Sequence, residues 1–280
     1  MAVAKVSLVD KRIFKKFLEI SSGFFALLSG ALIFVDIPDE HRVIVGVAIL
    51  TLLVLTYFIL WERSNNLQDI SLSIEGSTVN IKTGDIFQQS GLKAIAFNEY
   101  FDTVVDDRII AKRSLNGIFL EQYLGTSVAD LDRHIDEYQF EDDDVLGREV
   151  DRTAGKRVKY KVGTICVYKD YLITAFAKFD DGNRANLTMP EYLEFLINFW
   201  DKVNRVYAQQ SVSTTIFGSG ITRIKGHKNI SDEDLLKIML WTFRISEMRF
   251  KHPAKLTIVI HKEKIDQINL LDIKSARNGM

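Results

Sequence analysis

Thr215-Ile216-Phe217-Gly218-Ser219-Gly220-Ile221-Thr222 is an apolar strand that runs straight into a Gly-Ser-Gly turn. Glycine reaches backbone angles closed to other residues and lets the chain approach a ligand closely. Successive N–H groups in such a turn form a concavity suited to an anion. In an open α/β sheet, ligands sit beyond the carboxyl ends of the strands, where this turn is expected. Phe217, Gly218, Ser219, Gly220 and Ile221 are therefore one candidate ligand loop, against the plainer alternative of a tight turn. Neither a phosphate-binding loop ending in Gly-Lys-Ser/Thr nor a Gly-x-Gly-x-x-Gly run is present, so no nucleoside triphosphatase is indicated.

Two further stretches share this plan. Val79-Asn80-Ile81-Lys82-Thr83-Gly84-Asp85-Ile86-Phe87 is a strand ending in a glycine turn with a carboxylate just after it. Asp85 there is placed to accept from an exocyclic amine while apolar neighbours flank a ring; an Asx-turn or a helix cap is the alternative. Ala94-Ile95-Ala96-Phe97-Asn98-Glu99-Tyr100-Phe101-Asp102-Thr103 is again a strand followed by polar residues, leading into Ser114-Leu115-Asn116-Gly117. Other strands are expected at Ile70–Glu75, Val158–Tyr168, Tyr171–Phe176 and Leu256–His261, with Gly76-Ser77 as a hairpin turn. Thr188-Met189-Pro190-Glu191 has the capping-box pattern with Pro in the first turn, and Ser231 followed by three acids opens a second helix. Strands alternating with helices predict an α/β fold with a mixed sheet under helices.

The 280 residues carry 36 Lys+Arg against 37 Asp+Glu, a balance that excludes the basic excess of a nucleic-acid binder. With Cys166 as the only cysteine, no intrachain disulfide forms, which fits a reducing compartment. The charges are unevenly spread. Val43–Trp61 is nineteen residues without one, and at 1.5 Å per residue a helix there covers about 28 Å, close to the hydrocarbon thickness of a bilayer. Tyr57 and Trp61 suit the lipid–water boundary. A second, weaker span is expected at about 17–35, with a cleaved signal peptide as its rival. Lys5, Lys11, Arg12, Lys15 and Lys16 precede it, against Arg42 alone in the loop 36–42. The positive-inside rule then places the N-terminus and the C-terminal domain in the cytoplasm of a multi-pass inner-membrane protein. The expected division is a segment 1–61 with two spans, a linker 62–68 and a soluble domain 69–280. Ser22, Ala26 and Gly30 put small residues on one face of the first span, for pairing within the hairpin or between subunits.

Taken in order, these motifs resemble a macro domain, the ADP-ribose-binding fold. Gly84-Asp85-Ile86 is similar to the family's Gly-Asp-Ile/Leu motif, whose Asp contacts the adenine amine. Ala94-Ile95-Ala96 resembles the strand leading to the first ligand loop, and Phe217–Ile221 the second, which cradles the diphosphate. The resemblance implies a three-layer α/β/α domain and a ligand-binding set of Asp85, Ile86, Asn98, Asp102, Ser114, Asn116, Gly117 and Phe217–Ile221. With two preceding spans the chain resembles the membrane–macro effectors of bacterial Thoeris antiphage systems. That resemblance implies a sensor with no cofactor. Its ligand would be an ADP-ribose derivative, a histidine adduct, made by a partner TIR-domain enzyme, and the outcome would be membrane disruption by a homo-oligomer and abortive infection.

Active macro hydrolases carry Asn-Ala-Ala-Asn and a glycine run where this chain has Phe97-Asn98-Glu99-Tyr100 and no such run. The departure favours binding over catalysis. A membrane-tethered ADP-ribosyl hydrolase and a passive tether for ADP-ribosylated partners are the rivals. The five histidines show no metal-ligand spacing with one another or with Cys166, which reads as a small core residue. The acidic run Glu141–Asp144 reads as a solvated loop.

Overall fold

The computed structural model describes residues 4–180, 182, 184–220, 222–226 and 230–276. Among them the chain divides into two compact units. The N-terminal unit holds the residues up to Gln68 together with Asn269–Ser275, and a sheet domain spans Asp69–Ile268.

In the N-terminal unit, α1 (Lys11–Leu32) and α2 (Asp39–Asn65) pack together, with Phe17 meeting Tyr57 edge-on at 5.4 Å. Asp10 caps α1 by accepting from Arg12 N. The expected first span is helical only from Phe17 to Leu32, because Asp36-Ile37-Pro38 follows and a residue before proline avoids the helical region. α2 runs on to Asn65, so most of the expected 62–68 linker is helix rather than free chain. Of the described helices only α2 is long and apolar enough to cross a membrane. The small face of α1 is not used against α2, since Ser22, Ala26 and Gly30 are exposed and a Cβ at Gly30 would meet nothing. The stripe 13, 17, 21, 24 and 28 is the better-covered face.

The sheet domain contains β1 (Asp69–Ile74), β2 (Ser77–Thr83), β3 (Leu92–Asn98), α3 (Leu115–Ile118), α4 (Val128–Glu137), β4 (Val145–Arg148) and β5 (Val158–Tyr160). It continues with β6 (Ile165–Tyr168), β7 (Tyr171–Phe179), β8 (Ala185–Thr188), α5 (Met189–Val206), β9 (Val212–Thr215), β10 (Arg223–Lys225), α6 (Asp232–Ile245) and β11 (Leu256–Ile260). α7 (Leu270–Ala276) closes the described chain. The main sheet runs β1-β2-β11-β9-β3-β7-β8-β10, with β6 also on β7. β2, β11, β9, β3 and β7 are mutually parallel, while β1, β6 and β8 pair antiparallel to their neighbours. The mixed sheet is as expected.

Alternation along the strands sends side chains to two cores. Ile95 and Phe97 of β3, with Ile173 and Ala175 of β7, join Phe101, Phe119, Leu131 and Ile135 on one face. Phe176, of opposite parity on β7, meets Tyr192, Phe195 and Phe217 on the other. Both expected caps form: Glu191 N donates to Thr188 Oγ1 at 3.4 Å while Thr188 N donates to Glu191 Oε2 at 2.7 Å, and Ser231 pairs likewise with Asp234.

Three local readings change. The β1–β2 turn is Glu75-Gly76, with φ of 45° and 80°, the left-handed pair of a type I′ two-residue hairpin turn, with glycine at its second position. The single strand expected at 158–168 is two, broken at Gly163, whose φ of 92° and lack of a Cβ let Asn198 close against it. The acidic run is not simply solvated. Glu141 binds Lys202 and Arg205, and the buried Asp144 takes Lys202 at 2.8 Å.

Candidate functional site

Because β2, β11, β9 and β3 are parallel, the turns that follow them share one edge of the sheet. Gly84-Asp85, Asn98 and Ile216–Gly220 are thereby brought to the same side. β9 and β3 pair only through Leu92↔Val212 and Lys93↔Ser213, at their starting ends. Toward their carboxyl ends no ladder joins them, and open α/β sheets take ligands beyond such strand ends.

Gly84 N donates to Ile260 O at 3.0 Å, so the turn after β2 is pinned to the end of β11. Asp85 is exposed and accepts from Phe87 N at 2.9 Å, capping the 3-10 turn Ile86–Gln88. One carboxylate oxygen holds the turn while the group as a whole faces solvent. Ile86 is buried in the core, so its side chain faces away from solvent. Phe87, two residues on, stacks flat on Tyr123 with centroids 3.9 Å apart. This half-buried ring pair beside Asp85 was missed in the sequence; Phe87 stands in the quoted motif, but nothing local announces Tyr123.

Beyond β9, Phe217 is 2% exposed and packs on Phe195 and Phe199. Its ring belongs to the core, and its carbonyl is taken by Tyr192 Oη at 2.9 Å. Those contacts fix the strand end and push the turn outward. Gly218 has φ of 85°, the left-handed region, and a Cβ there would sit 3.4 Å from Leu235. Ser219 N closes the turn on Ile216 O at 3.3 Å. Gly220 is exposed, and a Cβ on it would meet nothing within the chain. Ile221 lies outside the described residues.

The polar residues after β3 are sealed inward. Asn98 Nδ2 donates to Asp102 Oδ2 at 2.8 Å, and its Oδ1 accepts from Tyr100 N and Asp102 N. Asp102 is fully buried and also receives Arg152 through both terminal nitrogens, at 3.1 and 2.6 Å, and Lys156 N at 2.6 Å. The Arg152 guanidinium lies 3.7 Å over the Tyr100 ring. Asn98 and Asp102 thus shape the loop from inside and offer no free side-chain edge to a ligand. Phe101 is held at φ of 50° in this loop with its ring fully buried. Glu99 is also buried. Desolvation raises its pKa above the ordinary carboxylate value, against the bond from Phe179 N and the charge of Lys159.

Ser114 caps α3 by accepting from Gly117 N at 3.2 Å, and its hydroxyl also meets Asn116 Oδ1 at 2.6 Å. A Cβ at Gly117 would fall 2.3 Å from Ala111 O, so glycine is required there for packing. No group of three or more His, Cys, Asp or Glu is placed to hold a metal among the described residues. Cys166 is buried, and desolvation pushes its thiol up to about 12.

The family described as "Thoeris protein ThsA, Macro domain" matches residues 79–261, from β2 through β11. This chain belongs to that family. It is similar over 253 residues, at 36% identity, to the Thoeris protein ThsA of Bacillus amyloliquefaciens (strain Y2), covering 88% of this chain and 84% of that protein. Among solved structures, a mutant macrodomain of Oceanobacillus iheyensis aligns with 76% of this chain and 100% of its own, at 13% identity and a TM-score of 0.49. The ThsA macro match contains both the Gly84-Asp85 turn and the Gly218–Gly220 turn.

Proposed function

We propose that this chain is a membrane-anchored sensor and effector of antiphage defence. Its macro domain binds an ADP-ribose-derived signal, a histidine adduct of ADP-ribose, released by a partner TIR-domain enzyme. The observation that carries this reading is the unpaired stretch between the carboxyl ends of β9 and β3, with the Asp85 turn and the Gly218–Gly220 turn at the same edge of the sheet. Asp85 accepts from the adenine amine and the Phe87–Tyr123 pair walls the ring. Backbone N–H groups of the Gly-Ser-Gly turn take the diphosphate. The inward bonding of Asn98 and Asp102, and the missing Asn-Ala-Ala-Asn, favour binding without hydrolysis.

The membrane half rests on α2, which contains no buried residue and exposes Val43, Ile44, Val47 and Leu50. α1 completes the hairpin, with the N-terminus and sheet domain on the cytoplasmic side. Its exposed Ser22–Ala26–Gly30 face associates between copies, and a homo-oligomer of hairpins disrupts the bilayer when ligand binds. The ligand shifts this equilibrium only by its difference in affinity for the two states.

Calorimetry of the detergent-solubilised chain with ADP-ribose and its conjugates tests the reading. Asp85→Ala should lose about 1–3 kcal/mol, or ~5- to 150-fold in affinity, for adenine-containing ligands. Turnover of ADP-ribosylated protein would replace the sensor with a hydrolase. Binding without loss of membrane potential in liposomes would replace it with a passive tether.

A further inference from the structure

α7 is the last described helix, yet Asn269–Ser275 belongs to the N-terminal unit rather than to the domain it follows. One side chain fastens it. Arg12 Nη1 donates to Leu271 O at 3.2 Å and to Ser275 Oγ at 2.6 Å, and Arg12 Nη2 donates to Asp272 Oδ1. Asp10 receives the same guanidinium through Nε at 2.9 Å and through Nη2, and so aims the fork. Asn269 Nδ2 adds a bond to Lys5 O at 3.2 Å, and Leu270 and Ile273 are buried. The segment that carries Arg12 is itself tied to α2. Val6 N donates to Asn65 Oδ1 and Trp61 Nε1 donates to Val6 O, both at 2.9 Å, and Tyr57 Oη donates to Leu8 O. Residues 5–12 therefore form a strap bonded to α2 on one side and to α7 on the other.

We propose that Asn269–Ser275 is a second attachment of the macro domain to the N-terminal unit, with Arg12 as its fastener. The domain is then held at both of its ends, at Gln68–Asp69 and at Ile268–Asn269. A seven-residue helix has no stability alone, so its order depends on these contacts. A forked guanidinium bonded to a carboxylate, a hydroxyl and a carbonyl is directional, and it resists displacement in a way that apolar packing does not. A single link would let the domain pivot freely. Two links turn any change in the separation of Asp69 and Ile268 into a pull on α1. The route from the candidate site is short: Gly84 N is bonded to Ile260 O, and the chain re-enters the N-terminal unit nine residues later at Asn269. The purpose of this arrangement rests on the sensing role proposed above; the fastening does not.

Hydrogen exchange on the full chain in detergent micelles tests both parts, with ADP-ribose as the probe and calorimetry on the same samples. Amides of Leu271–Lys274 should exchange about tenfold or more faster in Arg12→Ala than in wild type, with β11 unchanged. Arg12→Lys should restore part of the protection. Saturating ADP-ribose should alter exchange at Leu271–Lys274 and at Lys11–Lys16 together in wild type, and only at the former in Arg12→Ala. Equal exchange in wild type and Arg12→Ala without ligand would overturn the fastening. Binding of ADP-ribose without any response at Lys11–Lys16 in wild type would overturn the coupling. If ADP-ribose does not bind, the sensing role fails for this ligand, and the unliganded comparison still decides the fastening.

Discussion

Arg152→Ala removes the only side-chain cation bonded to Asp102 among the described contacts, and its cost follows from the burial of that carboxylate. Asp102 keeps Lys156 N and Asn98 Nδ2 as donors, but neither carries charge. Breaking a buried pair from one side typically costs about 3–5 kcal/mol, because the remaining charge is left uncompensated. For a domain of this size, 1 kcal/mol moves the melting temperature by roughly 2–4 °C, so a fall of about 6–20 °C is expected. Thermal unfolding of the full chain in detergent, followed by the fluorescence of the buried Trp200, measures it. Replacing both partners, Asp102→Leu with Arg152→Met, should recover about 2 kcal/mol of that loss by removing the orphan charge. ADP-ribose affinity of Asp102→Asn, measured well below its melting temperature, should stay close to wild type. A stability cost under about 1 kcal/mol for Arg152→Ala, or a large affinity loss in a stable Asp102→Asn, would overturn the internal role assigned to this pair.

Gly218→Val should destabilise the domain by about 1–3 kcal/mol through its left-handed backbone, whereas Gly220→Val should melt like wild type yet lose ligand. Equal melting temperatures for the two variants would contradict that distinction. Burial opposes charge on Glu191, but bonds from Lys178 and from the Thr188 backbone and hydroxyl outweigh it and hold the carboxyl at about 2, against an ordinary 4.5. Its folded value is the lower one, so its contribution is full above about pH 4.5 and is lost as pH falls toward 2. Urea midpoints should show Glu191→Gln weaker by about 2 kcal/mol at pH 7, after allowance for partial exposure, and the gap should close near pH 2. Glu99 has the opposite sign: its raised value makes the charged form costly, so Glu99→Gln should be neutral or stabilising at pH 7 and lose that advantage below about pH 4.5. For topology, cysteine at Pro38 should label from outside intact cells and cysteine at Lys5 should not; the reverse pattern would invert the orientation.

What the sequence revealed depended on how local the signal was. The Thr188 capping box and the Ser231 cap were legible because each is written within four residues, and α2 because nineteen uncharged residues have few other uses. The Gly84-Asp85 and Gly218–Gly220 turns were legible as strand ends, and parallel pairing brought them to one edge. The inward bonding of Asp102 was not legible, since its cation lies 50 residues away and nothing near Arg152 marks it as a partner. α4 carries a capping serine, Ser127, and an i,i+4 apolar pair, Leu131 and Ile135, so it was readable and was missed. The short strands β8 and β10 are three or four residues long and give alternation no room to show.

The strap at Arg12 has a consequence for how the chain is made. Arg12 leaves the ribosome early, but Asp272 follows 260 residues later. At 5–20 residues per second that is a wait of about 13–52 s. During it, α1 and α2 are completed and the domain between them and α7 has time to fold, before α7 closes the N-terminal unit. A chain cut after Ile268 would hold every part of the candidate site and lack the closure. The N-terminal unit is thus completed by residues translated after the whole sheet domain.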